Sequence, residues 1–142
     1  MEDLNVRNYS ATIPYELGVL LKDAGYWDPR CAYESSYNGP CYFKPTKKFY
    51  PEGAIADWNE FVPAPTYADV IDWLFNKELV IIIDLVSESK LTWTWNILCI
   101  GDKLKNSRDS GYTGLIRTET IFGSFFECAN NAIETALSYL YK

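Results

Sequence analysis

Val80-Ile81-Ile82-Ile83-Asp84-Leu85-Val86, followed after Ser87-Glu88-Ser89-Lys90 by Leu91-Thr92-Trp93-Thr94-Trp95-Asn96-Ile97-Leu98-Cys99-Ile100, reads as two strands of an antiparallel hairpin. The first run is dominated by β-branched residues, which pack well on a pleated surface. In the second, Leu91, Trp93, Trp95 and Ile97 alternate with Thr92, Thr94 and Asn96, the pattern of a half-buried strand. A one-residue slip of register would move every side chain to the other face, so the length of the connection matters. An even loop pairs Val86 with Leu91 and sets Asp84 opposite Trp93. A three-residue loop of Ser87, Glu88 and Ser89 pairs Leu85 with Leu91, Ile83 with Trp93 and Ile81 with Trp95. It also leaves Asp84 opposite Thr92 and Ile82 opposite Thr94. The odd loop, of three or five residues, gathers the larger apolar set on one side and is the expected one.

Outward from the hairpin, Lys103 to Gly114 is polar and glycine-punctuated, hence a loop, and Leu115 to Phe122 is a third strand. Ser124-Phe125-Phe126-Glu127 then forms a capping box. Phe125, Ala129, Ala132, Ile133, Ala136, Leu137 and Leu140 continue as one helical stripe, with Glu127, Asn130, Asn131, Glu134 and Ser138 facing away. Three alanines in the stripe suit close approach to a sheet. On the N-terminal side, Thr66 and Asp69 open a helix after Pro65 that carries Tyr67, Val70, Ile71 and Leu74 on one face and ends near Lys77. Pro14 to Ala24 is a first helix, stopped by Gly25. The expectation is therefore an α+β fold: an antiparallel sheet of three or more strands packed against two or three helices, with the C-terminal helix on the sheet.

Between the first two helices lies an aromatic-rich, irregular stretch, Tyr26 to Phe61. Cys31-Ala32-Tyr33-Glu34 and Cys41-Tyr42-Phe43-Lys44 flank Asn38-Gly39, a turn dipeptide, and suggest a short hairpin. Pro45, Pro51, Gly53, Pro63 and Pro65 break the chain between this hairpin and the second helix.

The chain has 142 residues, of which 48% are hydrophobic and 23% charged. That is one ordinary domain, able to bury roughly 70% of its unfolded surface. The net charge of −6 argues against a nucleic-acid partner, since such affinity rests on neutralising phosphates. No run reaches the ~18 apolar residues of a membrane span, and the N-terminus lacks a signal-type apolar segment. Cys31, Cys41, Cys99 and Cys128 have no close-pair spacing and read as free thiols in a reducing, cytoplasmic setting.

Histidine is absent, which removes the commonest general base and metal ligand. Catalytic, cofactor and metal assignments are accordingly none. Cys128 sits where a helix dipole lowers a thiol pKa, although packing at the edge of the stripe is the plainer reading. Asp69, Asp72, Glu34 and Asp84 are the acids available to a carboxylate-based hydrolase, the weakest of the readings. The remaining candidates are aromatic. With 16% aromatic residues, the chain has more rings than a small core demands. Trp27, Tyr37, Tyr42, Tyr50 and Trp58 are the partner-binding candidates, either as interface anchors or as a second small core. Lys44, Lys47 and Lys48 among Tyr42, Phe43, Phe49 and Tyr50, with Arg108, offer the alternative of a small-ligand or nucleotide-sequestering module.

Leu21-Lys22-Asp23-Ala24-Gly25-Tyr26, Ala64-Pro65-Thr66 leading to Ile71-Asp72-Trp73-Leu74, and Phe122-Gly123-Ser124-Phe125-Phe126-Glu127-Cys128-Ala129 running into Ala132-Ile133-Glu134-Thr135-Ala136-Leu137 carry a resemblance. From about residue 14 onward the chain resembles small uncharacterised proteins of phages and mobile elements of gut Bacteroidetes. The resemblance implies a cytoplasmic accessory protein and transfers no catalytic residue. The leading expectation is a non-enzymatic protein-interaction or accessory protein of that type.

Overall fold

A computed structural model describes residues 8–26, 40–51, 60–100 and 114–140. Among them are three helices and two antiparallel three-stranded sheets, an α+β fold. The chain divides into two compact units, Ser10–Thr66 and Tyr67–Lys142 with Met1–Tyr9.

In the smaller unit, helix α1 (Tyr15–Asp23) precedes strands β1 (Cys41–Phe43), β2 (Lys48–Tyr50) and β3 (Phe61–Pro63), ordered β2-β1-β3. Gly25, at φ 92°, ends α1 in a conformation that suits glycine. Leu17, Gly18 and Leu21 are buried. A Cβ on Gly18 would lie 2.5 Å from the Pro63 carbonyl oxygen and 2.6 Å from Val62 Cγ1, so glycine is what lets α1 touch β3. Ile13 N–H donates to the Pro65 carbonyl at 3.0 Å, and Thr12 bridges Thr66. Two expectations are corrected here. Pro63, read as a breaker, ends a strand, because β3 is an edge among the described residues, where a missing donor is tolerated. The stretch read as irregular holds β2, which pairs with β1. The Asn38-Gly39 turn and its Cys31–Glu34 strand lie outside the described residues.

In the larger unit, β4 (Leu79–Ser87), β5 (Thr92–Cys99) and β6 (Gly114–Arg117) form the sheet β4-β5-β6. Helices α2 (Tyr67–Asn76) and α3 (Phe125–Leu140) complete the unit. Burial alternates along the strands as expected, with Leu79, Ile81, Ile83, Trp93, Trp95, Ile97 and Cys99 inside. Helix α3 packs against β5 and β4 through a stripe that includes Ala129, Ala132 and Ala136, all fully buried. The Ser124 hydroxyl accepts the Glu127 N–H at 3.1 Å, so the expected cap is in place. Phe125, fully buried, meets Tyr9, Tyr67, Trp93 and Phe126 in edge-on contacts.

The hairpin register needs a correction. Ile83 lies opposite Trp95, Asp84 opposite Thr94 and Leu85 opposite Trp93, two residues from the expected pairing. The loop is Glu88-Ser89-Lys90-Leu91, with Leu91 at φ 53°, and it is even. A bulge between Leu85 and Ser87 adds the residue that restores the odd count. The faces are thus as expected although the partners are not, and Asp84 is exposed.

The expected third strand is also interrupted. Beyond Arg117 the ladder stops, and Thr118 Oγ1 accepts the Thr120 N–H at 3.0 Å. That local bond turns the chain away from the ladder. Phe122 then rejoins, exchanging hydrogen bonds of 2.9 and 2.8 Å with the backbone of Trp93.

Candidate functional site

The β1–β2 hairpin gathers the exposed rings and ammonium groups of the smaller unit. Its loop, Lys44-Pro45-Thr46-Lys47, has four residues, and proline presets the turn dihedral at its second position. Lys47 closes it in the left-handed region at φ 61°, donating its N–H to the Phe43 carbonyl at 2.6 Å. The Thr46 hydroxyl accepts the Lys48 N–H at 3.3 Å. The β1–β2 and β4–β5 hairpins therefore each close on a four-residue loop whose last residue, Lys47 or Leu91, is left-handed.

Strand alternation sorts the rings onto two faces. Tyr42 lies opposite Phe49 on one side and Val62 on the other. On that face Tyr42 meets Tyr15 at 5.7 Å and Phe49 at 5.5 Å between ring centres. Its hydroxyl donates to the Ile13 carbonyl. Burial, together with the nearby Glu16 carboxylate, raises the Tyr42 phenol pKa, against the Thr12 hydrogen bond that lowers it. Tyr42 thus braces the interior of the small unit. Phe43, Lys48 and Phe61 share the opposite face with Cys41, Tyr50 and Pro63, and Phe43 stacks at a tilt on Phe61 at 5.1 Å.

Lys44, Lys47, Lys48, Phe49 and Tyr50 are all exposed. Two ammonium groups rest on rings. Lys47 Nζ lies 5.2 Å from the Tyr15 ring centre, and Lys48 Nζ 5.4 Å from that of Tyr50. Such contacts hold a flexible side chain near the surface while leaving its charge solvated. Residues 41–51 hold three lysines and no acid, in a chain of net charge −6.

Of the five aromatic candidates, Tyr50 stands exposed on β2 and Tyr42 is half-buried on β1. Trp27, Tyr37 and Trp58 lie outside the described residues, as do Arg108, Glu34 and Cys31. Sequence reading missed Tyr15, which comes from α1 and has no local signal linking it to Lys47. The alternation of Lys48, Phe49 and Tyr50 is a signal for β2, masked by the flanking prolines.

The other candidates are dispersed. Asp69, Asp72 and Asp84 are exposed. Cys41, Cys99 and Cys128 are free and buried. Burial pushes Cys41 up to about 11 and Cys128 up to about 12, the latter helped by the negative charge of Asp84, and it raises Cys99 as well. The direction at Cys128 is thus upward, set by burial first and the Asp84 charge second, opposite to the lowering expected of a thiol near a helix start. Among the described residues no group of three or more Cys, Asp or Glu side chains is placed to hold a metal ion, and no helix is long and apolar enough to cross a membrane. Comparison with known proteins finds no family model that matches the chain, no curated protein similar to it in sequence and no similar solved structure.

Proposed function

We propose that the chain is a non-enzymatic interaction protein, of the accessory kind implied by its resemblance to phage and mobile-element proteins, and that the β1–β2 hairpin is its contact surface. The observation that carries this reading is the concentration of exposed Phe49 and Tyr50 with Lys44, Lys47 and Lys48 on one short hairpin of an acidic chain. Aromatic rings are enriched in interface cores, where a few of them usually carry most of the energy, and lysines around them supply charge complementarity. Phe49 and Tyr50 expose 37% and 36% of their surface, with the Tyr42 ring against Phe49 and the Lys48 ammonium over Tyr50. The partner is a protein, and the setting is cytoplasmic.

The test compares the chain with a variant carrying Lys44→Ser, Lys47→Ser, Lys48→Ser and Tyr50→Ala, each used to retain proteins from host extract under identical salt. Proteins held by the natural chain and released by the variant support the hairpin as the contact surface. Identical retained sets, with the variant folded by circular dichroism, contradict it.

A further inference from the structure

We infer that β2 accepts an acidic, extended segment of a partner protein as a fourth strand of the small sheet. This rests on the hairpin being the contact surface and adds what kind of partner it takes. Among the described residues, strand β2 lies at the sheet edge, with β1 on its inner side, and all three of its side chains are exposed. The Lys44 and Ala64 N–H groups bond between β1 and β3, so Cys41 and Phe43 turn their backbone toward Tyr50 and Lys48. On β2 it is therefore Phe49 whose N–H and C=O face the open side for an incoming strand.

The charges specify which strand. Lys47 is held over Tyr15 and Lys48 over Tyr50, with Lys44 exposed in the same loop. Residues 41–51 themselves hold no carboxylate, although Glu60, whose carbonyl takes the Lys44 N–H, and Glu16, whose charge acts on Tyr42, lie close by. Lys48 and Tyr50 project from one face of the sheet and Phe49 from the other. An added strand that sets an acid opposite Lys48 and an apolar residue opposite Phe49 matches both faces at once. The complementary segment therefore alternates acidic and apolar residues. A second copy of β2 would instead bring three more lysines to the same edge.

A protein strand fits better than single-stranded nucleic acid. Phe43 packs on Phe61 and Tyr42 on Tyr15, and the exposed Phe49 and Tyr50 project from opposite faces of β2, so the described rings of the hairpin do not line one path for successive stacked bases. Three lysines on a chain of net charge −6 are a weak attraction for a phosphate backbone.

The experiment titrates the full chain, labelled for NMR, with a capped hexapeptide of alternating Glu and Val. A second hexapeptide has the same sequence but is N-methylated at every residue, so that neither of its edges can donate a backbone hydrogen bond. The parent peptide is expected to shift the amide signals of Lys48, Phe49 and Tyr50 saturably and to slow hydrogen exchange at Phe49, the amide that faces outward. The N-methylated peptide, with equal charge, is expected to bind about tenfold more weakly or worse, and Lys47→Ser with Lys48→Ser to weaken the parent peptide by about tenfold. Equal binding of the two peptides would show charge attraction without strand addition and overturn the inference. So would saturable binding of oligo-dT at β2 with none of the peptide, self-association that Lys48→Glu strengthens, or no binding at all. The N-methylation arm leaves the protein unaltered, so misfolding of a variant cannot decide the result. Failure of the peptide together with loss of retained proteins in the hairpin variant would overturn the strand-addition inference alone.

Discussion

The indole Nε1 of Trp95 donates a hydrogen bond to Asn131 Oδ1 at 2.9 Å, joining the central strand of the larger sheet to the C-terminal helix. One residue earlier on α3, Asn130 Oδ1 accepts the Tyr67 hydroxyl at 2.7 Å. The helical stripe predicts both asparagines on the face away from the sheet, but Asn131 reaches Trp95 on β5, Asn130 reaches Tyr67 on α2, and both are half-buried. The reason is that buried Trp and Tyr each need an acceptor for their polar tip. Asn131→Ala leaves the buried Trp95 N–H without this partner. The expected loss is roughly 1–3 kcal/mol, measured as the shift in urea midpoint at constant slope. An unchanged midpoint would mean that water replaces the amide at no cost.

Gly18 gives a prediction in the smaller unit. Alanine normally improves a helix interior by about 1 kcal/mol. Here its methyl would enter the space of the Pro63 carbonyl and Val62. Backbone cannot yield as a flexible side chain can, so Gly18→Ala is expected to destabilise by roughly 1–3 kcal/mol net. Thermal denaturation of the variant reads the sign directly.

Glu78 stands at φ 71° just after α2, where glycine is the usual residue. Its Oε1 is buried and has no hydrogen-bond partner among the described residues. Glu78→Gly relieves the backbone and removes that oxygen. We expect a gain of roughly 0.5–1 kcal/mol in chemical denaturation.

The buried thiols set a pH dependence. Cys128 and Cys41 are raised from 9.0 to about 12 and about 11, mainly by burial. A raised folded pKa means that the unfolded chain loses its protons first. The contribution is therefore fully present below pH 9.0 and is lost as pH rises toward about 12. By about pH 11 the loss is on the order of a few kcal/mol. In Cys41→Ala with Cys128→Ala, the slope of stability against pH between those values should be shallower than in the natural chain. Equal slopes would assign the alkaline loss to other groups.

Period and capping made the larger unit legible. The alternation of Trp93, Trp95 and Ile97 and the Ser124 cap gave β5 and α3 their places and faces. The bulge at Val86 was not legible, because an even loop plus one extra residue gives the same facing pattern as an odd loop. In the smaller unit the three-residue strands are too short for periodicity to emerge, and prolines flank them. Of the candidate surface, Tyr50 and the lysines were visible as an aromatic and basic run. The ring pairs that position them, Tyr15 with Tyr42 and Phe43 with Phe61, join residues distant in sequence.

The most direct measurement places a photo-crosslinking phenylalanine analogue at Tyr50, in the natural host, and compares it with the same analogue at Leu115, an exposed residue of β6. The hairpin account predicts a covalent protein adduct from position 50 that Lys47→Ser with Lys48→Ser abolishes, and none from position 115. An adduct from position 115 with none from position 50 would contradict it.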